Sequence, residues 1–285
     1  MTVGNHRSEL ARLREQFHRR LCRSVLGLRG STDVPSNADR DSKQSVAISK
    51  AVLAQIACEQ GDPVPSPQRS GRVFEEIVLE FLRESFAALR HLRPGKWVYT
   101  AHAKITDFVQ YEHLKDLASA LREHPQLRAT LGDYLVKPDL VVAREPVDDH
   151  EINVGSAIVD EQVATLTPLR AANQSKRILH ASISCKWTIR SDRSQNARTE
   201  ALNLLRNRKG AAPHVVIVTA EPLPSRLASV ALGTGDVDCV YHFALYELQT
   251  AVKNVGDETS QEMLQLLING KRLRDISDLP FDLAT

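Results

Sequence analysis

Two charged residues in apolar runs of this sequence could take part in the hydrolysis of a phosphodiester bond. Asp139 belongs to the segment KPD, and Lys186 belongs to the segment SCK. Both segments predict strands, where a charge is costly unless it is paired. Taken alone, each is more simply a polar residue at a strand end or on a solvent-facing position. Taken together they indicate metal-dependent hydrolysis, because carboxylates can hold Mg²⁺ while a lysine orients or deprotonates the attacking water.

The two residues fit the nuclease pattern PD-(D/E)XK only in part. That pattern has an acidic residue two positions before the lysine, and here the position is Ser184. Glu200 follows Lys186 by fourteen residues on a predicted helix and could supply the missing carboxylate. A solvated position on the helix surface is an equally good interpretation of Glu200. Glu75, near the start of a long predicted helix, is a second candidate.

A dense charged segment, RSDR, begins four residues after the lysine. Arginine can donate hydrogen bonds to O6 and N7 of guanine, and aspartate can accept one from the amino group of cytosine. Arg190, Asp192 and Arg193 could therefore read G·C pairs in a major groove. The alternative interpretation is an exposed charge pair of little consequence.

Apolar periodicity predicts the helices that would position these residues. Apolar side chains recur at three- and four-residue spacing, which is the period of an α-helix. The clearest amphipathic helix is 73–91, with Ser70 near its N-terminus as a cap. The predicted helices are 9–28, 46–58, 73–91, 108–123 and 195–207.

Four short segments rich in β-branched residues predict strands. A helix separates the second strand from the third, which favours an α/β fold with a central mixed β-sheet flanked by helices and an N-terminal helical part. We expect a single domain of residues 1–285. The stretch 144–177 shows little periodicity and is interpreted as an insertion. The predicted strands are 134–143, 178–187, 214–220 and 237–244, so that Asp139 is expected inside the first of them.

The amino-acid composition indicates which broad classes of protein this chain can belong to. The hydrophobic content of 42% and charged content of 25% are those of an ordinary globular protein. No apolar run approaches the roughly 20 residues needed to cross a membrane, and the N-terminus has no apolar core of the signal-peptide kind. We therefore expect a cytoplasmic protein without a membrane partner. Its four cysteines lack zinc-ligand spacing and would stay reduced in the cytosol, so neither a disulfide nor a structural metal is predicted.

The sequence closely resembles the NgoMIV family of type II restriction endonucleases, in the CCGG-recognising group of the PD-(D/E)XK superfamily. The resemblance covers nearly the whole chain and is weakest at the N-terminus and in 98–130. The segments that carry it are SNAD at 36–39, HLRPGKW at 91–97, HASISCKWTIRSDRSQNARTE, LNLLRNRKG, PHVVIVTAEPLPSRLASVALGTGDVDCVYHFALYEL and the ending NGKRLRDISDLPFDLA.

The resemblance implies a restriction-endonuclease-like fold and a specific reaction. The expected target is GCCGGC in double-stranded DNA, with one or two Mg²⁺ ions in each active site. Water would attack the phosphorus in line and leave a 5′-phosphate and a four-base 5′ overhang. The expected assembly is a homotetramer, a dimer of dimers, that engages two copies of the target. The expected location is the bacterial cytoplasm.

Carried over by position, the resemblance also implies catalytic roles. Asp139 would be the principal metal ligand, the backbone carbonyl of Cys185 would also contact a metal, and Lys186 would be the catalytic lysine. Glu200 and Glu75 would complete the acidic cluster, in part through water. The carboxylate that the motif lacks would thus be displaced to the following helix.

The same carry-over assigns the residues that read DNA. Arg190, Asp192 and Arg193 would read the central CCGG in the major groove. Gln68 would reach the central pairs from the minor groove, and Arg226 would contact the outer G·C pair.

The loop that contains SNAD departs from the family pattern. The family has a serine where this chain has Asp41 beside Ser42, and a carboxylate cannot donate a hydrogen bond to guanine. Either Asp39 or Ser42 takes that role, or specificity for the outer pair is altered. GCCGGC remains the predicted target.

Two other classes of function stay open from the residues alone. A less specific repair or resolving nuclease of the same superfamily would need only the aspartate and the lysine, and its RSDR segment would grip phosphate. A non-catalytic DNA-binding protein would leave footprints on DNA without nicks.

Overall fold

Six strands form a mixed sheet in the order β1-β2-β3-β4-β5-β6. The first three strands pair antiparallel, and the last three pair parallel. The computed structural model describes residues 7–30, 32–56, 58, 66–124, 126, 136–189, 191–233 and 235–285. The strands are β1 (Trp97–Ala101), β2 (Leu140–Arg144), β3 (Ile178–Lys186), β4 (His214–Thr219), β5 (Cys239–His242) and β6 (Leu273–Asp275).

Within the described ranges, three helices precede β1, and the others lie between or after the strands. Two short 3-10 helices, Ile105–Asp107 and Val109–Tyr111, lie between β1 and α4. The α-helices in the described part are α1 (Glu9–Ser24), α2 (Lys43–Ile56), α3 (Pro67–Leu89), α4 (Leu114–Glu123), α5 (Asp149–Ile152), α6 (Ser191–Asn207), α7 (Pro224–Ala231), α8 (Leu245–Val255), α9 (Glu258–Asn269) and α10 (Leu279–Asp282).

The chain divides into two compact units. The larger unit consists of Met1–Arg93, Ser184–Thr199 and Val215–Thr285. The smaller unit consists of Pro94–Ile183 and Glu200–His214. The single domain expected from the sequence stays a prediction.

In the larger unit, α1 and α3 pack against each other through apolar faces. The N-terminus of α1 is capped by Ser8, whose hydroxyl accepts a hydrogen bond from the N–H of Ala11 at 3.2 Å. One turn apart on α1, Leu13, Phe17 and Leu21 are buried. Phe17 meets Phe81 of α3 with ring centroids 5.2 Å apart.

The parallel strands of the larger unit are covered by helices. Every residue of β5 is buried, as is typical of parallel strands with helices packed on the sheet. Helix α7 packs on β5, and helices α8 and α9 contact β6. The predicted mixed sheet with flanking helices is therefore confirmed.

In the smaller unit, the side chain of a buried glutamine forms two hydrogen bonds with the backbone of β3, in the manner of a neighbouring strand. The amide nitrogen of Gln110 donates to the carbonyl of Leu179 at 2.7 Å, and its amide oxygen accepts from the N–H of Leu179 at 2.9 Å. Tyr111 beside it is buried, and its hydroxyl donates to the carbonyl of Leu204 at 3.0 Å. The turn between β1 and α4 is thus fixed by buried polar contacts as well as by apolar packing.

The sequence predictions fail at several places. Strand β2 begins at Leu140, so Asp139 does not lie inside a strand as expected. Helix α3 begins at Pro67, and Ser70 is not its cap but a buried residue of the helix whose N–H donates to the carbonyl of Ser66 at 2.8 Å. Proline suits the first helical turn because it has no N–H to leave unpaired there.

The prediction that no disulfide forms is also wrong in this structure. Cys22 of α1 and Cys58, just after α2, are disulfide-bonded with Cα atoms 5.3 Å apart. Their separation of 36 residues gave no pairing signal in the sequence. Cys185 and Cys239 are free and buried.

The described helices include none that is both long enough and apolar enough to span a membrane.

His242 of β5 makes the stability of the larger unit depend on pH. The imidazole is fully buried, and its Nδ1 accepts from the N–H of Ala244 at 3.1 Å. Burial lowers the pKa of His242 from 6.5 to about 4, although the neighbouring carboxylates of Asp275 and Glu247 act in the opposite direction. The folded protein thus keeps His242 neutral where the unfolded chain would protonate it.

We expect His242 to reduce the free energy of unfolding as the pH falls from 6.5 towards 4, because only the unfolded state takes up the proton. The full loss is on the order of 3 kcal/mol, at about 1.4 kcal/mol per pH unit. His242→Asn keeps an acceptor for the N–H of Ala244 and should remove this part of the pH dependence. Urea unfolding at about pH 7 and about pH 5 measures the slope for both proteins.

The exposed His150, replaced by Asn, provides the control. Glu221 contributes with the opposite sign, since burial raises its pKa to about 7 and the folded state then holds the additional proton. Both proteins retain Glu221, so the difference between their slopes isolates His242. Identical slopes for the wild type and His242→Asn would contradict this account.

Candidate active site and DNA-reading surface

Asp139 lies at the point where the chain enters β2. Pro138 before it is buried and has no N–H to offer a strand ladder, which explains why the strand starts only at Leu140. The backbone carbonyl of Asp139 accepts from the N–H of His102 at 3.0 Å, directly after β1. His102 has φ 53°, in the left-handed region that residues other than glycine rarely adopt. The backbone of Asp139 is therefore held at the end of the β1–β2 pair.

Lys186 is the last residue of β3. Ser184 and Lys186 are half-buried, while Cys185 between them is buried, in line with the two-residue period of a strand. The sequence prediction that a lysine stands in this strand is confirmed, but Lys186 lies at its end.

Trp187 fixes the end of β3 within the larger unit. Its indole packs on Phe74 of α3, with ring centroids 5.1 Å apart, and its Nε1–H donates to the carbonyl of Ser36 at 3.3 Å. Phe74 precedes Glu75 and Trp187 follows Lys186, so both candidate residues neighbour this aromatic pair in the chain. The structure thus brings the start of α3 to the end of β3.

The predicted metal ligands come from both units of the chain. Among the described residues, no group of three or more His, Cys, Asp or Glu side chains could hold a metal ion. Asp139 and Glu200, which lies within α6, belong to the smaller unit, and Glu75 and Cys185 belong to the larger one. Their donor atoms are carboxylate and carbonyl oxygens, which fit Mg²⁺ because this ion takes one or two carboxylates and keeps several waters. Their roles stay predictions.

The segment that begins with SNAD is anchored to the end of β4. Asn37 is buried, donates to the carbonyl of Ala220 at 2.8 Å and accepts from the hydroxyl of Ser49. The N–H of Asp39 donates to the hydroxyl of Ser45 at 2.9 Å. The carboxylate of Asp39 forms an ion pair and a hydrogen bond with the guanidinium of Arg226 in α7.

The other two candidates of this loop have different side-chain surroundings, although the N–H of Asp41 donates to the carboxylate of Asp39 at 3.2 Å. Asp41 has a side chain that is 84% exposed and lies 3.6 Å from the guanidinium of Arg40. The hydroxyl of Ser42 accepts from the N–H of Ser45 at 3.2 Å, as an N-cap of α2 would. Of the three candidates for the outer base pair, the structure brings Asp39 to Arg226.

Glu221 is a buried acidic residue beneath this surface, and nothing in the sequence indicated it. Its side chain is 1% exposed, and its carboxylate accepts from the backbone N–H of Ile189 at 2.8 Å and of Leu223 at 3.2 Å. The Nη1 atom of Arg226 lies 3.9 Å from the same carboxylate. Burial raises the pKa of Glu221 to about 7, against the opposing effects of these N–H groups and of Arg226. The fragment AEPLPSR gave no sign of this, because Ile189, one of the partners, lies 32 residues earlier in the chain.

The predicted readers of the central bases can be placed only in part. Arg190 lies outside the described residues, as do the side chains of Gln68, Asp192 and Arg193. The backbone puts Asp192 and Arg193 in the first turn of α6 and Gln68 in the first turn of α3. Helix α6 begins at Ser191, five positions after the end of β3 and four before the predicted start.

Comparison with known families defines the class to which this fold and surface belong. The model of the family described as NgoMIV restriction enzyme matches residues 17–285. The chain therefore belongs to the NgoMIV restriction enzyme family and is a type II restriction endonuclease. A relative of known function is the Type II restriction enzyme NgoMIV of Neisseria gonorrhoeae. It is 48% identical over 277 residues, which cover 95% of this chain and 97% of the relative.

Solved structures that resemble this fold are also restriction endonucleases. Bse634I with cognate DNA is 13% identical with a TM-score of 0.40, covering 98% of this chain and 92% of its own. PspGI with substrate DNA is 14% identical with a TM-score of 0.27, covering 85% and 92%. Likenesses this distant carry no argument about individual residues.

Proposed function

We propose that this endonuclease cleaves double-stranded DNA at GCCGGC by Mg²⁺-dependent hydrolysis, as one catalytic domain of residues 1–285 in the bacterial cytoplasm. The observation that carries the proposal is the junction of β3 and α6. Strand β3 ends at Lys186, and the helix whose first turn contains Asp192 and Arg193 begins at Ser191. The residues proposed for catalysis and for base reading are thus joined by a connection of four residues. The identity of 48% to a type II restriction enzyme over 95% of the chain supports it.

The chemical roles follow from the residue types. When bound, Mg²⁺ would supply positive charge for the attacking and leaving oxygens and make the bound water more acidic. Asp139 and the carbonyl of Cys185 would hold the ion, with Glu200 and Glu75 acting directly or through water. Lys186 would orient the water that attacks phosphorus in line. The bond from phosphorus to the 3′ oxygen breaks, which leaves the 5′-phosphate and a four-base 5′ overhang.

Recognition of the outer G·C pair would use two side chains that already contact each other. Arg226 can donate to guanine while Asp39 accepts from the amino group of cytosine, and the pair has opposite charges that suit the two bases. Ser42 serves α2, and Asp41 points to solvent. This arrangement supports an outer pair that remains G·C although the family serine is replaced. Arg190, Asp192, Arg193 and Gln68 would read the central CCGG.

We propose a homotetramer, a dimer of dimers that binds two targets, and the predicted insertion is a candidate for its contacts. The insertion is ordered around Arg170, which is 4% exposed and donates through Nε to Asp149 at 2.8 Å. Four apolar side chains in it are exposed and would form a binding surface if they are contiguous. They are Val154, Ile158, Val163 and Leu166, at 72%, 62%, 49% and 93% exposure.

Digestion of three plasmids tests the function as a whole. With Mg²⁺, we expect no cutting of a plasmid without GCCGGC and the most efficient cutting of one with two copies, because the tetramer would engage both. Sequencing of the ends should show a 5′-phosphate and a four-base 5′ overhang. Equal cutting of the site-free plasmid would favour a less specific nuclease, and binding without cutting would favour a non-catalytic protein.

Replacement of the lysine tests its catalytic role. Lys186→Ala should bind a GCCGGC duplex in gel shifts yet cut it at least about a hundredfold slower, because a contact made in the transition state is lost. Lys253→Ala, on the exposed face of α8, is the matched control and should cut normally. Cutting by Lys186→Ala at the rate of the control would assign the catalytic role to another residue.

Replacement of Asp39 and of Asp41 in turn tests which of the two contacts the outer base pair. Asp39→Asn should lower the ratio of kcat/KM for GCCGGC over ACCGGT by about tenfold or more, because a base-specific contact contributes at least that much. Asp41→Asn removes an exposed carboxylate from the same loop and should leave this ratio unchanged. The reverse result, with the ratio lost only in Asp41→Asn, would assign the outer pair to Asp41.

A further inference from the structure

Glu221 contacts both segments that are proposed to read DNA. Its Oε2 accepts from the N–H of Ile189, the residue directly before Arg190. Its Oε1 accepts from the N–H of Leu223, which caps the N-terminus of α7. Arg226 lies in the first turn of α7, with its N–H bonded to the carbonyl of Leu223 at 3.1 Å.

The same carboxylate also faces the side chain of Arg226. Nη2 of the guanidinium is bonded to Asp39, and Nη1 lies 3.9 Å from Glu221, so carboxylates from two segments face the same cation. A buried carboxylate must be paired with donors because an unpaired one is strongly destabilising. The donors described here lie in the outer-pair segment or directly before the RSDR segment, which ties the position of one to the position of the other.

We propose that Glu221 is a positioning residue that couples recognition of the outer base pair to recognition of the central bases. The inference rests on the proposed function. Through Arg226, Glu221 orients the contact to the outer G·C pair. Through Ile189, it holds the backbone that leads into α6, whose first turn contains Asp192 and Arg193.

A glutamine at this position has the size of Glu221 but not its pattern of acceptors. The amide oxygen can accept from one of the two backbone N–H groups, while the amide NH₂ would face the other donor or the guanidinium. Glu221→Gln should therefore displace both reading segments and leave the volume of the core unchanged. This displacement can be distinguished from a loss of stability because it lowers the preference of the enzyme for one DNA sequence over another.

The test compares duplexes that differ in one position of the target. Glu221→Gln should lower the ratio of kcat/KM for GCCGGC over ACCGGT, and over a duplex with an altered central pair, by about tenfold each. In the Arg226→Ala background, Glu221→Gln should cause no further loss of outer-pair discrimination, because that effect passes through Arg226. The loss at the central pairs should persist there, because it passes through Ile189.

Glu247→Gln is the matched control in the same unit. Glu247 is half-buried and paired with Arg14 at 2.6 Å, so its replacement also removes a carboxylate from a guanidinium. This variant should unfold more easily in thermal unfolding and retain both ratios. A purely structural role for Glu221 predicts the same behaviour for Glu221→Gln, and unchanged ratios there overturn the inference.

Two further results keep the inference separate from other causes of failure. If Glu221→Gln does not fold, Glu221→Asp is measured instead, because it keeps the carboxylate but shortens the side chain by one methylene. Glu221→Asp must also lower both ratios, and unchanged ratios overturn the inference. If the wild type does not prefer GCCGGC over ACCGGT, both the proposed target and the proposed coupling are wrong. If the wild type discriminates and Glu221→Gln does so equally well, the coupling alone is wrong.

Discussion

The packing of Trp187 connects the end of β3 to other segments of the larger unit. Its ring lies against Phe74 of α3 and, more loosely, against Phe243 after β5, with centroids 6.4 Å apart. Its indole N–H reaches the carbonyl of Ser36 at the start of the SNAD segment. One buried side chain therefore joins the end of β3 to a helix and to a loop. Aromatic rings tolerate little displacement in a packed core. The backbone at Glu75 and Lys186, beside these rings in the chain, is therefore held in place.

Arginine–carboxylate pairs with at least one buried or half-buried side chain join parts of the chain that are distant in sequence. Arg14 is paired with Asp275 and Glu247, and Arg170 is paired with Asp149 inside the predicted insertion. Arg170 also donates to the backbone carbonyl of Asp160 at 2.9 Å. Such pairs stabilise only when geometry is good, and removing one partner leaves a buried charge. This explains how residues 144–177 form a defined structure although their sequence gives no helical or strand pattern.

The sequence predicted what depends on local pattern. Amphipathic spacing located α1 and α3, and β-branched runs located β3, β4 and β5. Strand β1 was missed because all five of its residues are half-buried and show no alternation, and β6 was missed because it has only three residues. The resemblance named the candidate catalytic residues, which stay predictions, but neither resemblance nor pattern indicated Glu221. Its role depends on Ile189 and Arg226, which are distant from each other in sequence, and only the folded backbone brings them to one carboxylate.

The ion pair between Arg226 and Asp39 also bears on how salt would act on the proposed reading surface. A cation that binds phosphate displaces the condensed counterions of DNA, so its contribution weakens steeply as salt is added. Arg226 is paired with Asp39 and borders the buried Glu221, so in the proposed contact its approach to a base edge would displace few ions. Sequence preference at the outer pair would then depend little on ionic strength. The general attraction to DNA remains the part of binding that salt controls.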